Sequence, residues 1–369
     1  AVHLMRAVQQ NVKQPVDWIG IGGDQMQKLG LSSNVPMSEL SVIGILDAIS
    51  SYNSLLQIAK AQVEHIIEFR PKAIFTVDTK QFSIKFASLL RKEMDNVGWH
   101  APIIQLVAPT VWAWGAWRAK KFEKLFDVIL CLFPFEPPYF NSKKTNAVFV
   151  GHPEAHKALE KNGQTPSFKR INRVGVIGLM PGSRKKEIEF NLSDILHSAE
   201  LFLRRFPKCQ FILPTTPNLE KLINDQIKNS QLPIQVVSGK GAFKNSLSKM
   251  SAAICVSGTA TLQLSLRGIP AVTCYKMNSL NFFLMQLLFK QKDPILPNIL
   301  LQKEVYPCYL QSAQTPYNLS SSLIDIYSNI SFHQKKMQHN ANKLIQLLIS
   351  EEGDFVTSVG NHLTKNDLI

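Results

Sequence analysis

Five cysteines are spread through 369 residues, and no two of them form a C-x-x-C pair. Cys131, Cys209, Cys255, Cys274 and Cys308 are scattered, three of them inside the apolar runs "VILCLF", "AAICVSG" and "AVTCYK". This spacing argues against a disulfide framework and for buried free thiols in a reducing compartment. No stretch reaches the roughly 18 continuous apolar residues of a membrane span, and no basic n-region, apolar h-region and cleavage site opens the chain. The expected location is the cytoplasm, at most against the inner face of the membrane. Acidic residues are few: 27 Asp and Glu against 41 Lys and Arg give a formal charge of +14. Such an excess favours an anionic membrane surface, nucleic acid or phosphorylated substrates. The basic residues are not interleaved with base-stacking aromatics on a recognisable module, so nucleic acid is the weakest of the three. "GHPEAH" (151–156) is not H-E-x-x-H and has no second ligand cluster, so no metal is expected and His152 reads as structural. "GIGG" (20–23) is too short for a dinucleotide fingerprint, and no cofactor is expected.

What remains is an ordinary globular composition, 45% apolar and 18% charged, in a chain too long for one core. "PKAIFTVDT", "APIIQLVAP" and "DVILCLFPF" read as strands with helical stretches between them, the pattern of a parallel sheet covered on both faces. After "VFVGHP" a polar linker follows, and the alternation restarts at "RVGVIGLMPGSR". The expectation is α/β architecture with two Rossmann-like doubly wound domains, at 1–155 and 172–330, facing a cleft, and a helical segment at 331–369 packing back on the first. "AVHLMRAVQQNV" is a helix ahead of the strand "VDWIGIGG", so the first strand and its Gly-rich turn are expected to be missing from this chain.

Four stretches carry chemistry. "LMPGSRKKEIEF" (179–190) sets Gly182 in a strand-to-helix turn, with the N–H groups of Ser183, Arg184 and Lys185 expected to face outward. Such a turn binds phosphate, with Arg184 adding charge-assisted contacts, or is a plain turn with a solvated Arg. "VSGTATLQLSLRGIP" (256–270) repeats the device with Ser257, Gly258 and Thr259, and Gln263 one turn on could reach a ribose hydroxyl. Asp78, ending the strand in "IFTVDTKQFS", is either a general base made more basic by partial burial or the cap of the next helix. "NSLNFFLMQLLFKQK" (278–292) contains Phe282, Phe283, Leu287 and Phe289 with little polar face, and is either a core helix or a contact for acyl chains or a membrane. "VWAWGAWRAKK" packs Trp112, Trp114 and Trp117 ahead of the basic run "WRAKKFEK", which is either a solvated face or a contact for anionic lipid.

Taken in order, "GIGGDQMQKLG", "MSELSVIGILDAI", "VAPTVWAWGAWRAKK", "LFPFEPPYF", "FVGHP", "LMPGSRKKEI", "SGTATLQ" and "LPNILL" resemble lipid-A-disaccharide synthase, an inverting glycosyltransferase family of GT-B architecture. The resemblance runs from residue 19 to about residue 312. It implies metal-free transfer of 2,3-diacylglucosamine from its UDP-activated form to 2,3-diacylglucosamine 1-phosphate, giving a β-1,6 disaccharide and UDP. Asp78 would take the acceptor's proton and Arg184 would stabilise the leaving diphosphate. Gly182, Ser183, Arg184, Ser257, Gly258, Thr259, Gln263 and Asn298 would hold UDP, while Trp112, Trp114, Phe282, Phe283, Leu287 and Phe289 would meet acyl chains or the membrane. The family's Ser-Gly-Glu-x-Ser-Gly-Asp loop would fall ahead of Ala1. Three further positions differ from its pattern: Gln81 and Gln263 stand where it has acids, as does Cys308. Two other readings stay open, a UDP-sugar epimerase of the same fold and a non-catalytic relative that binds UDP or anionic lipid.

Overall fold

The computed structural model describes residues 1–33, 35–36, 48–113, 115–140, 145–162, 175–288 and 293–369. Trp114, Phe289 and most of the polar linker lie outside them. The chain forms two compact units, Ala1–His156 with Leu348–Ile369, and Lys157–Leu347.

In the first unit, α1 (Val2–Asn11) leads to β1 (Trp18–Gly20), α2 (Asp24–Gln27) and β2 (Leu31–Ser33), and β1 pairs parallel with β2. Then follow α3 (Ala48–Phe69), β3 (Ile74–Val77), α4 (Lys80–Val97), β4 (Ile103–Leu106), α5 (Ala119–Leu125), β5 (Val128–Cys131) and β6 (Asn146–Phe149). Strands β3 to β6 make a parallel sheet in sequence order. Every residue of β4 and β5 is buried, which is why both read as unbroken apolar runs. Their side chains alternate between two cores: Ile103 and Ile129 pack with Leu90, Met94 and Phe122 on one face, Ile104 and Leu130 with Leu4 and Val8 on the other. Helix α4 presents Phe86, Leu90 and Met94 at four-residue spacing and ends at Gly98, whose φ of 62° suits a residue without Cβ. The second face is completed by Phe355, Val359 and Leu363 of the C-terminal helix Phe355–Lys365, which returns to this unit.

In the second unit the order is α6 (Pro153–Asn162), which enters from the first, then β7 (Val176–Met180), α7 (Lys185–Arg205), β8 (Gln210–Pro214), α8 (Pro217–Ile227), β9 (Ile234–Val237), α9 (Ala242–Leu247), β10 (Ala252–Val256) and α10 (Thr259–Ser265). β11 (Ala271–Tyr275), α11 (Ser279–Leu288), α12 (Leu296–Leu301), β12 (Cys308–Leu310), α13 (Pro316–Ser328) and α14 (Ile330–Leu348) complete it. The six strands are parallel in the order β12-β11-β10-β7-β8-β9. The chain therefore reverses its direction of travel across the sheet between β7 and β10, and such a reversal opens a crevice at the carboxyl ends of those two strands.

Aromatic packing anchors the core of this unit. The Phe202 ring, fully buried on α7, lies 5.0 Å from Phe206, 5.4 Å from Tyr327 and 6.3 Å from Phe211. Phe202→Ala removes that hub and is expected to lower stability by about 3–5 kcal/mol in urea unfolding; a loss below about 1 kcal/mol would mean that the site collapses around the smaller side chain.

Candidate functional site

The turns at 181–184 and 257–259 leave β7 and β10, the two strands that flank the reversal. Neighbouring strands run about 4.8 Å apart, so the turns stand side by side. Gly182 has φ 115°, and a Cβ there would come within 2.5 Å of Glu187 Cβ, so the close turn requires glycine. The amides beyond it are engaged rather than all facing outward: Ser183 N–H donates to Glu187 Oε2 at 2.9 Å, and Arg184 Nη1 donates to Glu187 Oε1 at 2.6 Å. Arg184 precedes the first residue of α7, and its side chain is 79% exposed. Glu187, three residues on, thus holds the turn and aims the guanidinium. In the second turn Ser257 Oγ donates to Pro294 O at 2.9 Å, while Gly258 and Thr259 are exposed and Gln263 is half-buried on α10.

Asn298 differs from its expected role. Its side chain is buried; Nδ2 donates to Asp293 Oδ2 and Tyr306 O, and Oδ1 accepts from Val305 N and Tyr306 N, all at 2.9–3.0 Å. An amide has two donor hydrogens and two acceptor lone pairs, so this one is fully used by the loop that leads into β12. It belongs to the scaffold rather than to the nucleotide contacts. Cys308, half-buried at the start of β12, faces Thr273 across the ladder, and burial pushes its thiol up to about 11.

In the first unit Asp78 follows β3 at the carboxyl edge with φ 53°. The residue capping α4 is Thr79, not Asp78, so the capping alternative does not hold. Nor is the carboxylate partly buried: its side chain is 67% exposed, with Lys80 Nζ 4.0 Å away. Gln81 lies on the next turn and lines a cavity of about 390 Å³ with Leu55, Leu56, Phe82, Lys85 and Lys121. A second cavity of about 320 Å³ lies at the amino end of β11, lined by Pro270, Glu304, Tyr306, His333 and Lys336, away from both turns.

The expected membrane contacts separate into two kinds. Trp112 is half-buried and packs edge-to-face on Phe135 at 5.3 Å, Phe135 stacks on Phe133 at 5.7 Å, and Phe133 stacks on His152 at 5.7 Å. Trp112 is therefore part of a packed aromatic shelf, while Trp117 is exposed, at 71%. On α11, Leu280, Phe283 and Leu287 form one exposed stripe at 58–68% exposure, and Phe282 is turned half inward. Leu280 was not singled out in the sequence because spacing alone does not say which face of a fully apolar helix is covered. Among the described residues no helix is long and apolar enough to cross a membrane.

The sequence also gave no weight to Glu136, the last letter of F-P-F-E. It is 2% exposed under the aromatic shelf and accepts N–H bonds from Leu132 and Phe133, both at 3.1 Å. Burial raises its pKa from the usual carboxylate range to about 7; those two bonds, the nearby Trp112 indole and the Lys80 charge only partly offset that. Trp112 Nε1 is close enough to act on the carboxyl but makes no hydrogen bond of ordinary geometry with it. Because the folded state holds this proton more tightly than the unfolded chain, its contribution is greatest below the unfolded pKa and is lost as pH rises through about 7. The Glu136 share of stability is expected to fall by about 3 kcal/mol between pH 4.5 and 7, and Glu136→Gln to flatten that slope in urea unfolding; parallel slopes for the two proteins would contradict the burial argument.

Known proteins fit this geometry. A model of the lipid-A-disaccharide synthetase family matches residues 1–356. The lipid-A-disaccharide synthase of Chromobacterium violaceum is 32% identical over 337 residues, 89% of this chain and 85% of that protein. That of Acinetobacter baylyi is 31% identical over 361 residues, 92% and 87% of the two chains. Among solved structures, the Staphylococcus aureus MnaA–UDP co-structure superposes with a TM-score of 0.64 at 11% identity, over 100% of this chain and 93% of that one. UDP-GlcNAc 2-epimerase from Neisseria meningitidis bound to UDP-GlcNAc does so at 0.63 and 11%, over 100% and 96%. At such identities the structures speak for the fold alone, the GT-B class, while the family match over residues 1–356 extends through both units and separates this chain from the epimerases. The chain belongs to the lipid-A-disaccharide synthase family.

Proposed function

We propose that the protein is a glycosyltransferase that joins UDP-2,3-diacylglucosamine to 2,3-diacylglucosamine 1-phosphate, forming the β-1,6-linked lipid A disaccharide 1-phosphate and releasing UDP. One observation carries the reading: both glycine turns, at Gly182 and Gly258, leave adjacent strands at the sheet's reversal point, where an open α/β sheet receives its ligand. In this mechanism the acceptor's 6-hydroxyl oxygen attacks the anomeric carbon of the donor. The bond from that carbon to the diphosphate oxygen breaks, and its electron pair leaves with UDP. Asp78 takes the hydroxyl proton, and an exposed carboxylate at a strand's carboxyl edge is within reach of a ligand there. The charge that develops on the diphosphate meets Arg184 and the turn amides, with Gly258, Thr259 and Gln263 serving the nucleotide from the second turn. Retention of Asp78, Arg184 and both turns supports an enzyme over a non-catalytic relative.

The acyl chains call for apolar surface. The cavity beside Gln81, lined by Leu55, Leu56 and Phe82 with Lys85 and Lys121, suits an acyl chain carried near an anionic group. The exposed stripe of Leu280, Phe283 and Leu287, together with the +14 charge, suits an anionic membrane surface. The two together support peripheral association with the inner face of the cytoplasmic membrane.

Asp78→Asn is expected to cut disaccharide formation by on the order of 10²–10⁴ while UDP titrations stay unchanged. Arg184→Ala should weaken both, UDP affinity by about tenfold or more. Turnover at the level of the unsubstituted protein in either variant removes that residue from the mechanism. Binding to vesicles of anionic phospholipid should fall as salt rises from about 0.05 M to about 0.5 M, and fall further when Leu280, Phe283 and Leu287 are changed to Ser; salt-independent binding would argue against electrostatic steering.

A further inference from the structure

Two non-glycine residues at the carboxyl edge of the first unit's sheet have backbone angles in the left-handed region: Asp78 with φ 53° and Val107 with φ 75°. For valine this is strongly disfavoured, because the branched Cβ crowds the neighbouring carbonyl. Such angles persist only where the surroundings over-determine them, and they gather at working sites. Backbone bonds hold each of them, Asp78 N–H to Leu106 O and Val107 N–H to Leu130 O, and one side chain on β4 ties the two together.

Gln105, in β4, is fully buried. Its Oε1 accepts from Thr76 Oγ1 at 2.6 Å, which sets the orientation of the amide. Its Nε2 then donates to Leu106 O at 2.9 Å, Val107 O at 3.2 Å and Asp78 O at 3.3 Å, three carbonyls sharing two hydrogens. The backbone closes the same circle, since Asp78 N–H donates to Leu106 O at 3.0 Å. The peptide groups on both sides of Asp78 are thus tied to the end of β4, and its carboxylate has little freedom at the root. A neutral amide does this without placing a second charge beside the acid.

We propose that Gln105 is a positioning residue for Asp78, holding the strained turns after β3 and β4 so that the Asp78 carboxylate stands where the acceptor's hydroxyl arrives. The inference rests on the reading of Asp78 as the proton acceptor. It differs from a purely structural role because relieving the strain should substitute for the amide. Glycine adopts φ near 75° freely, so Val107→Gly should restore part of what Gln105 supplies.

The test measures kcat and KM with both lipid substrates, the pH dependence of kcat/KM, and UDP binding by titration. Gln105→Met is expected to lower kcat by about 10- to 100-fold, the scale of a misplaced catalytic group, with donor KM and the Kd for UDP within about twofold of the unsubstituted protein. The acid limb of its kcat/KM profile should move, and adding Val107→Gly should recover at least about fivefold in kcat. Thr76→Val, nearly the same shape, should change kcat in the same direction by less, and decides the matter if Gln105→Met fails to fold. Folded variants with kcat within about twofold of the unsubstituted protein would overturn the inference, as would a loss that Val107→Gly does not relieve and that UDP binding shares. The two readings fail separately: full turnover by Asp78→Asn sinks the base assignment, whereas an inactive Asp78→Asn beside a fully active Gln105→Met sinks only the role of Gln105.

Discussion

A parallel strand that stops at an open edge leaves the backbone groups beyond it without a ladder partner, and those that are buried must find one elsewhere. At the carboxyl edges of both sheets several of the partners are neutral side-chain amides, beside the carboxylates of Glu187 after β7 and Glu136 after β5. Gln105 gathers three carbonyls beyond β3 and β4. Asn191 of α7 exchanges bonds with Lys276 N and O beyond β11, and Gln311 does the same with Met277 N and O. At the amino end of β12 a further amide, Asn298, closes the loop into the strand. The amino edge of the first unit's sheet uses charges instead, with Arg91 paired to Asp127, which also accepts from Ile103 N. At the carboxyl edge of each unit the exposed charges a sugar diphosphate or its acceptor would meet include Asp78 in the first unit and Arg184 in the second.

The two-unit arrangement assigns different chemistry to the two edges. The second unit's edge carries N–H donors and the Arg184 cation at a glycine turn that Glu187 braces. The first supplies an acid whose backbone is held in an uncommon angle, beside an aromatic shelf resting on the buried Glu136. Glu187 and Glu136 are both carboxylates that accept backbone N–H bonds, and at Glu136 burial is deep enough for desolvation to dominate the charge state. Supporting acids and working acids are separated by what surrounds them, not by residue type.

Much of the fold was legible in the sequence. Apolar strand runs, helix periodicity and the Pro-Gly and Ser-Gly-Thr turns are local signals, and the strands and turns they mark are where the local pattern puts them. An expectation that 331–369 packs back on the first domain does not say where the return begins; packing of Phe355, Val359 and Leu363 against residues hundreds of positions away sets that, and no local pattern carries it. The site was legible in part for the same reason. Gly182 and Arg184 lie in a motif whose geometry is local, but whether Asn298 faces a ligand or a loop depends on where Tyr306 and Asp293 fall in space. Trp112 and Trp117 are equivalent as letters, and only the ring of Phe135 distinguishes them. Gln105 is one polar residue in an apolar run, and its meaning lies entirely in the strand beside it.

The central claim is that amide-held strand ends present the Gly182 and Gly258 turns as the seat of a diphosphate. Amide hydrogen exchange with and without UDP tests it most directly. The account predicts that Lys276 and Met277 exchange slowly in either condition and that UDP adds protection at 182–187 and 257–261. Exchange of Lys276 and Met277 at the rate of an unfolded chain, or UDP protection centred instead on 270–271 and 304–307, would contradict it.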